Sequence, residues 1–253
     1  MLRSPYPSPF TALLLAVALA STARAGDDDL LTVKRQPQEK YYLIGAAPDA
    51  VTDKPPGLLL VMPGGDGSAE FHAFVTSIHG ALPDGYLVVQ LVAVESKDEK
   101  QVVWPTEKLK DKKQTFPTQQ FIENVVKEVM AKHKLDENRI FTLGWSSSGS
   151  AAYGSVLTPK SPVKGAVVAM SVFQPGVLPD LAGAKGKRVV ILHAAGDKLI
   201  PVRIAQMAEN RLKTAGAEVQ FVEMAGGHGW EDDPLGRITS AVEWLQDGAE
   251  KSP

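Results

Sequence analysis

Arg139-Ile140-Phe141-Thr142-Leu143-Gly144-Trp145-Ser146-Ser147-Ser148-Gly149 is the most informative stretch of the chain. An apolar run passes through a turn of small residues directly into a segment that reads as a helix. That context suits a G-x-S-x-G elbow, in which a sharp strand-to-helix turn lifts a serine above a sheet and small neighbours let the backbone pack tightly. Ser146 then stands two residues after Gly144, and Ser148 occupies the position where the motif has its second glycine. Sliding the register by one makes Ser147 the nucleophile and Gly149 the second glycine. It also sets the bulky Trp145 where the turn needs a glycine, so Ser146 is the better reading.

On both sides of this stretch, short apolar runs alternate with longer amphipathic segments, the pattern of a parallel sheet with crossover helices. The strand candidates are Tyr41 to Ile44, Leu58 to Met62, Leu87 to Val92, Ile140 to Gly144, Gly165 to Met170, Val189 to His193 and Val219 to Glu223. Several are uninterrupted apolar runs, as strands covered on both faces require. The helix candidates are Ala69 to His79, Gln119 to His133, Gly149 to Leu157, Val202 to Ala215 and Leu235 to Gln246. The expected fold is therefore α/β, a mostly parallel sheet of about seven or eight strands flanked by helices. The linker after Met170 is short and punctuated by Pro and Gly, so no large lid domain is expected.

A serine hydroxyl needs a general base, and that base needs an orienting carboxylate. Asp197 follows the apolar run Val189 to Ala195, at the carboxyl end of a strand where open parallel sheets place functional groups. Helix capping is its bland alternative. His228 lies in Gly226-Gly227-His228-Gly229-Trp230, a loop after the last strand candidate. His72, His79 and His133 lie on or at the end of helix candidates. His193 reads as a buried histidine with a backbone partner, and Glu223 is the lesser acid candidate because no loop presents it. Acyl transfer also needs N–H donors for an oxyanion. Pro63-Gly64-Gly65-Asp66-Gly67 follows a strand, and it gives Gly65 as one donor while the residue after the nucleophile, Ser147, gives the other. This loop has neither a P-loop lysine nor G-x-G-x-x-G spacing, so it is not a phosphate cradle. Trp145, Phe173 and Trp230 are substrate-pocket candidates.

The chain has 253 residues, 44% hydrophobic and 22% charged, which admits one large core or two smaller ones. It has no cysteine, which removes thiol nucleophiles, disulfides and cysteine-ligated metal. With 27 basic and 29 acidic residues, no field exists to hold nucleic acid or an anionic membrane. Lys108, Lys110, Lys112 and Lys113 are interrupted by Glu107 and Asp111 and read as a solvated loop. Residues 1–25 read as a secretory signal: Arg3 is the charge, Phe10 to Ala20 the apolar run, and Ala23-Arg24-Ala25 a small-residue cleavage site. Residues 26–40 read as a flexible lead-in, and 41–250 as one domain.

Taken in order, Pro63 to Ala69, Arg139 to Gly149, His193 to Asp197 and Gly226 to Trp230 resemble the α/β-hydrolase superfamily. The similarity is to its small exported esterases, the phospholipase/carboxylesterase and polyhydroxybutyrate-depolymerase-like or feruloyl-esterase-like branch. It spans nearly all of Tyr41 to Asp247, and departs at Pro63, where a histidine is usual, and at Ser148. The resemblance implies an α/β-hydrolase fold and a periplasmic or secreted serine hydrolase of small-molecule or polymer-end carboxylic esters. It implies a Ser146–His228–Asp197 triad, no cofactor and no metal. A serine peptidase on the same scaffold and a catalytically silent binding module are the alternatives.

Overall fold

The computed structural model describes residues 29–45, 54–95, 102–231 and 233–249. The stretch read as a secretory signal lies outside them. Eight strands form one sheet: β1 (Leu31–Thr32), β2 (Lys40–Ile44), β3 (Gly57–Met62), β4 (Tyr86–Val92), β5 (Ile140–Trp145), β6 (Gly165–Ala169), β7 (Arg188–Ala194) and β8 (Glu218–Met224). Their order is β1-β2-β4-β3-β5-β6-β7-β8, with β2 antiparallel to both neighbours and all other pairs parallel. The helices are α1 (His72–Ala81), α2 (Thr118–Lys132), α3 (Gly149–Leu157), α4 (Val202–Thr214) and α5 (Pro234–Ala249).

The alternation of side chains along a strand divides the core in two. On β3, Leu58, Leu60 and Met62 face a cluster with Phe121, Val125 and Val129 of α2, Ala152 and Val156 of α3, and Ala205 and Ala208 of α4. Leu59 and Val61 face the other side, against Val75 and Ile78 of α1 and Ile238, Val242 and Leu245 of α5. Every residue of β3 and β5 is buried, which explains why both read as unbroken apolar runs. All nine residues of α3 are buried as well, so the helix that follows the serine turn is a central rod rather than a surface element.

Every expected strand and helix is present, with shifted ends. β6 stops at Ala169 because Met170 takes φ +46°, a left-handed turn that no strand continues through. The helix expected from Ala69 begins as a 3-10 turn, Ala69–Phe71, before α1. Residues 29–40 correct the expectation of a flexible lead-in. Leu31 and Thr32 pair with Tyr41 and Lys40, the Val33 N–H donates to Glu39 O at 2.9 Å, and Val33 and Glu39 are both buried. A two-residue strand has too little sequence to show a period, which is why the hairpin is hidden in a charged, Pro-containing stretch. Between β6 and β7 stand only two 3-10 turns, Pro175–Val177 and Leu181–Ala184, so the sheet carries no large lid there.

Candidate active site

The carboxyl ends of β3, β5, β7 and β8 bring the expected polar residues together. Ser146 follows β5 with φ +53°, a left-handed conformation rare for a residue with a Cβ and the mark of the sharp turn predicted from sequence. Its geometry depends on two glycines. A Cβ on Gly144 would meet Ser148 Oγ at 2.8 Å and Ala152 Cβ at 2.9 Å, and one on Gly149 would collide with Ser171. The glycine displaced by one from its usual place thus lets Ser171 approach, and Ser171 Oγ donates to Ser146 O at 2.5 Å. Ser148 is fully buried and turns its hydroxyl inward, donating to Met62 O at 2.7 Å and lying 3.0 Å from Trp145 O.

Ser146 Oγ lies 2.9 Å from His228 Nε2, and His228 Nδ1 lies 2.8 Å from Asp197 Oδ2. Asp197 is buried, and its other oxygen, Oδ1, accepts from the Leu199 and Ile200 N–H groups, each at 2.8 Å. Both carboxylate oxygens are therefore engaged. This fixes the tautomer by its partners: Nδ1–H donates to Asp197, which leaves Nε2 free to accept the Ser146 proton. His193 is fully buried on β7, with Nε2 at 2.7 Å from Ile200 O and 3.5 Å from Asp197 Oδ2. It has the backbone partner expected of it, and it holds the far end of the Asp197 loop. Ser147 Oγ points away from His228 and donates to Gly65 O at 2.8 Å, so of the two register choices only Ser146 faces the imidazole.

The two oxyanion candidates, Gly65 and Ser147, are joined directly by the Ser147 hydroxyl. Ser147 sits in the 3-10 turn Ser146–Ser148 that leads into α3, where the first N–H groups have no intrahelical acceptor and the helix dipole favours negative charge. Gly65 has φ +59° and is exposed. A Cβ at Gly64 would strike the Trp145 indole at 2.5 Å, so only glycine lets this loop lie on that ring.

Of the pocket candidates, Trp230 is half-buried next to His228 and packs edge-on against Trp145 at 5.7 Å. Trp145 is buried beneath the glycine loop, also touching Phe71 and Phe74, and acts as a floor rather than a pocket wall. Phe173 is corrected: it is 2% exposed, with its ring set edge-on against Tyr153 at 5.1 Å inside the core on the α3 side. A cleft of about 390 Å³ lies elsewhere, lined by Leu192, Gln220, Arg237 and Ser240, and shares no residue with this site. Among the described residues no group of three or more His, Cys, Asp or Glu is placed to hold a metal.

Sequence reasoning missed the residues that brace the site. Trp104, Ser171 and Phe71 carry no motif, and each acts through a contact distant in sequence, with Pro63, Ser146 and Trp145 respectively. The lysine loop is likewise more than solvated charge, because Lys108 Nζ donates to Leu178 O at 2.6 Å.

A strand-ordered sheet with a left-handed serine after its central strand, a histidine on that serine and a buried aspartate on that histidine defines an α/β-hydrolase. Residues 101–244 match the model of the phospholipase/carboxylesterase family; the chain belongs to that family and with it to the serine esterases. The fold is similar to solved structures of esterase 2 from Thermogutta terrifontis. For the form phosphoramylated by tabun the TM-score is 0.63 at 15% identity, covering 90% of this chain and 96% of that one. For the propionate-bound form it is 0.63 at 15% identity, covering 88% and 93%. For the apo form it is 0.63 at 14% identity, covering 90% and 96%. No curated protein sequence matches the chain.

Proposed function

We infer that this protein is an exported hydrolase that cleaves carboxylic esters through a Ser146–His228–Asp197 triad and an acyl-enzyme. The observation that carries the reading is the unbroken relay of 2.9 Å and 2.8 Å from Ser146 Oγ through the imidazole to a buried, doubly hydrogen-bonded carboxylate. Ser146 Oγ attacks the ester carbonyl while its proton passes to His228 Nε2. Asp197 holds the ring in position and stabilises the imidazolium. The carbonyl oxygen becomes an oxyanion held by the Gly65 and Ser147 N–H groups, and losing one such donor costs roughly 2.7–4 kcal/mol of barrier. Collapse breaks the carbon–oxygen bond, and His228 returns the proton to the departing alcohol. Water then attacks the acyl-enzyme by the same route in reverse, giving up a proton through His228 that restores Ser146. The substrate is a small-molecule or polymer-end ester, reached without a lid, and export rests on the charge, apolar run and cleavage pattern of residues 1–25.

A fluorophosphonate probe tests the chemistry. The wild-type protein should be labelled once and should hydrolyse p-nitrophenyl butyrate, whereas Ser146→Ala should do neither while remaining folded. A folded wild type that takes no label would make the protein a silent module. Hydrolysis of peptide anilides but not esters would make it a peptidase.

A further inference from the structure

The glycine loop after β3 is the most freely jointed part of the site, yet an oxyanion hole works only if its donors are aimed before the charge appears. Its carbonyls show how it is held. Met62 O accepts from Ser148 Oγ at 2.7 Å, Pro63 O from the Trp104 indole Nε1–H at 2.9 Å, Gly64 O from the Gly67 N–H at 3.0 Å, Gly65 O from Ser147 Oγ at 2.8 Å, and Gly67 O from the Ala93 N–H at 2.9 Å. In a trans peptide the C=O of one residue and the N–H of the next point in opposite directions. Fixing these carbonyls therefore also fixes the N–H groups of Gly64, Gly65 and Asp66.

Among these contacts Trp104 stands apart. It is 1% exposed and comes from the segment between β4 and α2, outside every motif of the site. Its ring also fills the space beside Gly67, where a Cβ would meet it at 2.8 Å. The segment that carries it is tied down on its far side by Thr106 Oγ1 to Val177 O at 3.1 Å and by Lys108 to Leu178 O. Pro63 brings no side-chain donor to the start of the loop, and the indole N–H comes from outside to hold its carbonyl.

Resting on the reading of Ser146 as nucleophile, we propose that Trp104 is a positioning residue of the oxyanion hole: its indole N–H holds the Pro63–Gly64 peptide and so fixes the point from which the next peptide starts, the one that carries the Gly65 N–H and whose Gly64 O is held by the Gly67 N–H. It touches no substrate, so its effect falls on the transition state and not on ground-state binding. The test uses two forms of the full chain: Trp104→Phe, and the protein with 3-benzothienylalanine at position 104, which keeps the bicyclic shape and replaces only the N–H by sulfur. Both are assayed on p-nitrophenyl butyrate and with butylboronic acid, whose tetrahedral adduct with the serine places an anionic oxygen in the hole.

The expected result in the sulfur analogue is a fall in kcat of about tenfold with KM within about twofold, and a matching loss of about tenfold in boronic-acid affinity. Wild-type kcat in the folded sulfur analogue overturns the proposal. So does a kcat loss with unchanged boronic-acid affinity, or a rise in KM alone. If Trp104→Phe fails to fold, the sulfur analogue decides. Activity surviving in Ser146→Ala would instead sink the nucleophile assignment, which keeps the two failures separate.

Discussion

Ser148 shows how one side chain can stand in for a glycine at a crowded turn. Glycine at this place leaves room; serine fills it and uses its hydroxyl to join the serine turn to the last carbonyl of β3. The bond is fully buried, so Ser148→Ala strips Met62 O of this donor with no water to replace it. That should destabilise the protein by about 1–3 kcal/mol. Urea unfolding followed by tryptophan fluorescence measures it, and an unchanged midpoint would show that the hydroxyl is idle. The left-handed φ of Ser146 belongs to the same scale. Its strain is tolerated because Gly144 and Gly149 let the turn pack closely and because Ser171 holds its carbonyl.

The β1–β2 hairpin docks on α2 through a carboxylate bonded to an amide, with no salt-bridge partner among the described residues. Glu39 is fully buried, and both its oxygens accept from Asn124 Nδ2, at 3.1 and 3.0 Å. Burial pushes its carboxyl above the ordinary value, the Asn124 bond pulls it part of the way back, and the nearby Glu128 charge pushes it up again. Glu128 in turn accepts from the Tyr41 hydroxyl at 3.2 Å and from the Lys34 N–H, and Tyr41, mainly through burial, is pushed up to about 12. A raised carboxyl means that the folded state keeps its proton to higher pH than the unfolded chain does. Stability from this site is therefore greatest below the unfolded value of about 4.3 and declines as pH rises through the folded value. Glu39→Gln keeps an acceptor for Asn124 and removes the charge. It should raise the urea midpoint at about pH 8 and lose that advantage at about pH 4, and an equal effect at both would refute the argument.

This hairpin also marks the boundary of what the sequence could reveal. β3 and β5 are legible because burial on both faces writes an unbroken apolar run, and α2 because Phe121, Val125 and Val129 recur at helical spacing. Ser146, Asp197 and His228 are legible because each follows an apolar run at the strand end where loops converge. β1 and the Trp104 segment are not: two residues of β1 are too few to show a period, and the Trp104 segment is ordered by contacts with Pro63, Val177 and Leu178, far away in the chain. Phe173 is ambiguous in the sequence because an aromatic after a strand end can turn toward the cleft or into the core, and its contact with Tyr153 places it in the core.

At the scale of the whole molecule, a chain without cysteine holds a site drawn from four strand ends by the packing of two cores on one sheet. On the proposal that residues 1–25 are a secretory signal, cleavage after Ala25 would leave a chain starting at Gly26 with 25 basic and 29 acidic groups. Residues 31–39 add β1 to the sheet edge and bury Val33. Expression of the full chain in a bacterial host should therefore yield a processed product whose N-terminal sequence begins at Gly26 in the periplasm or medium. Deletion of 1–25 should leave Tm and ester hydrolysis unchanged. Deletion of 1–40 exposes the β2 edge and discards a valine whose burial contributes about 1.5 kcal/mol or more, so Tm should fall by about 5 °C. An unprocessed, cell-retained product would refute export, and equal Tm for the two deletions would return residues 29–40 to the role of a loose leader.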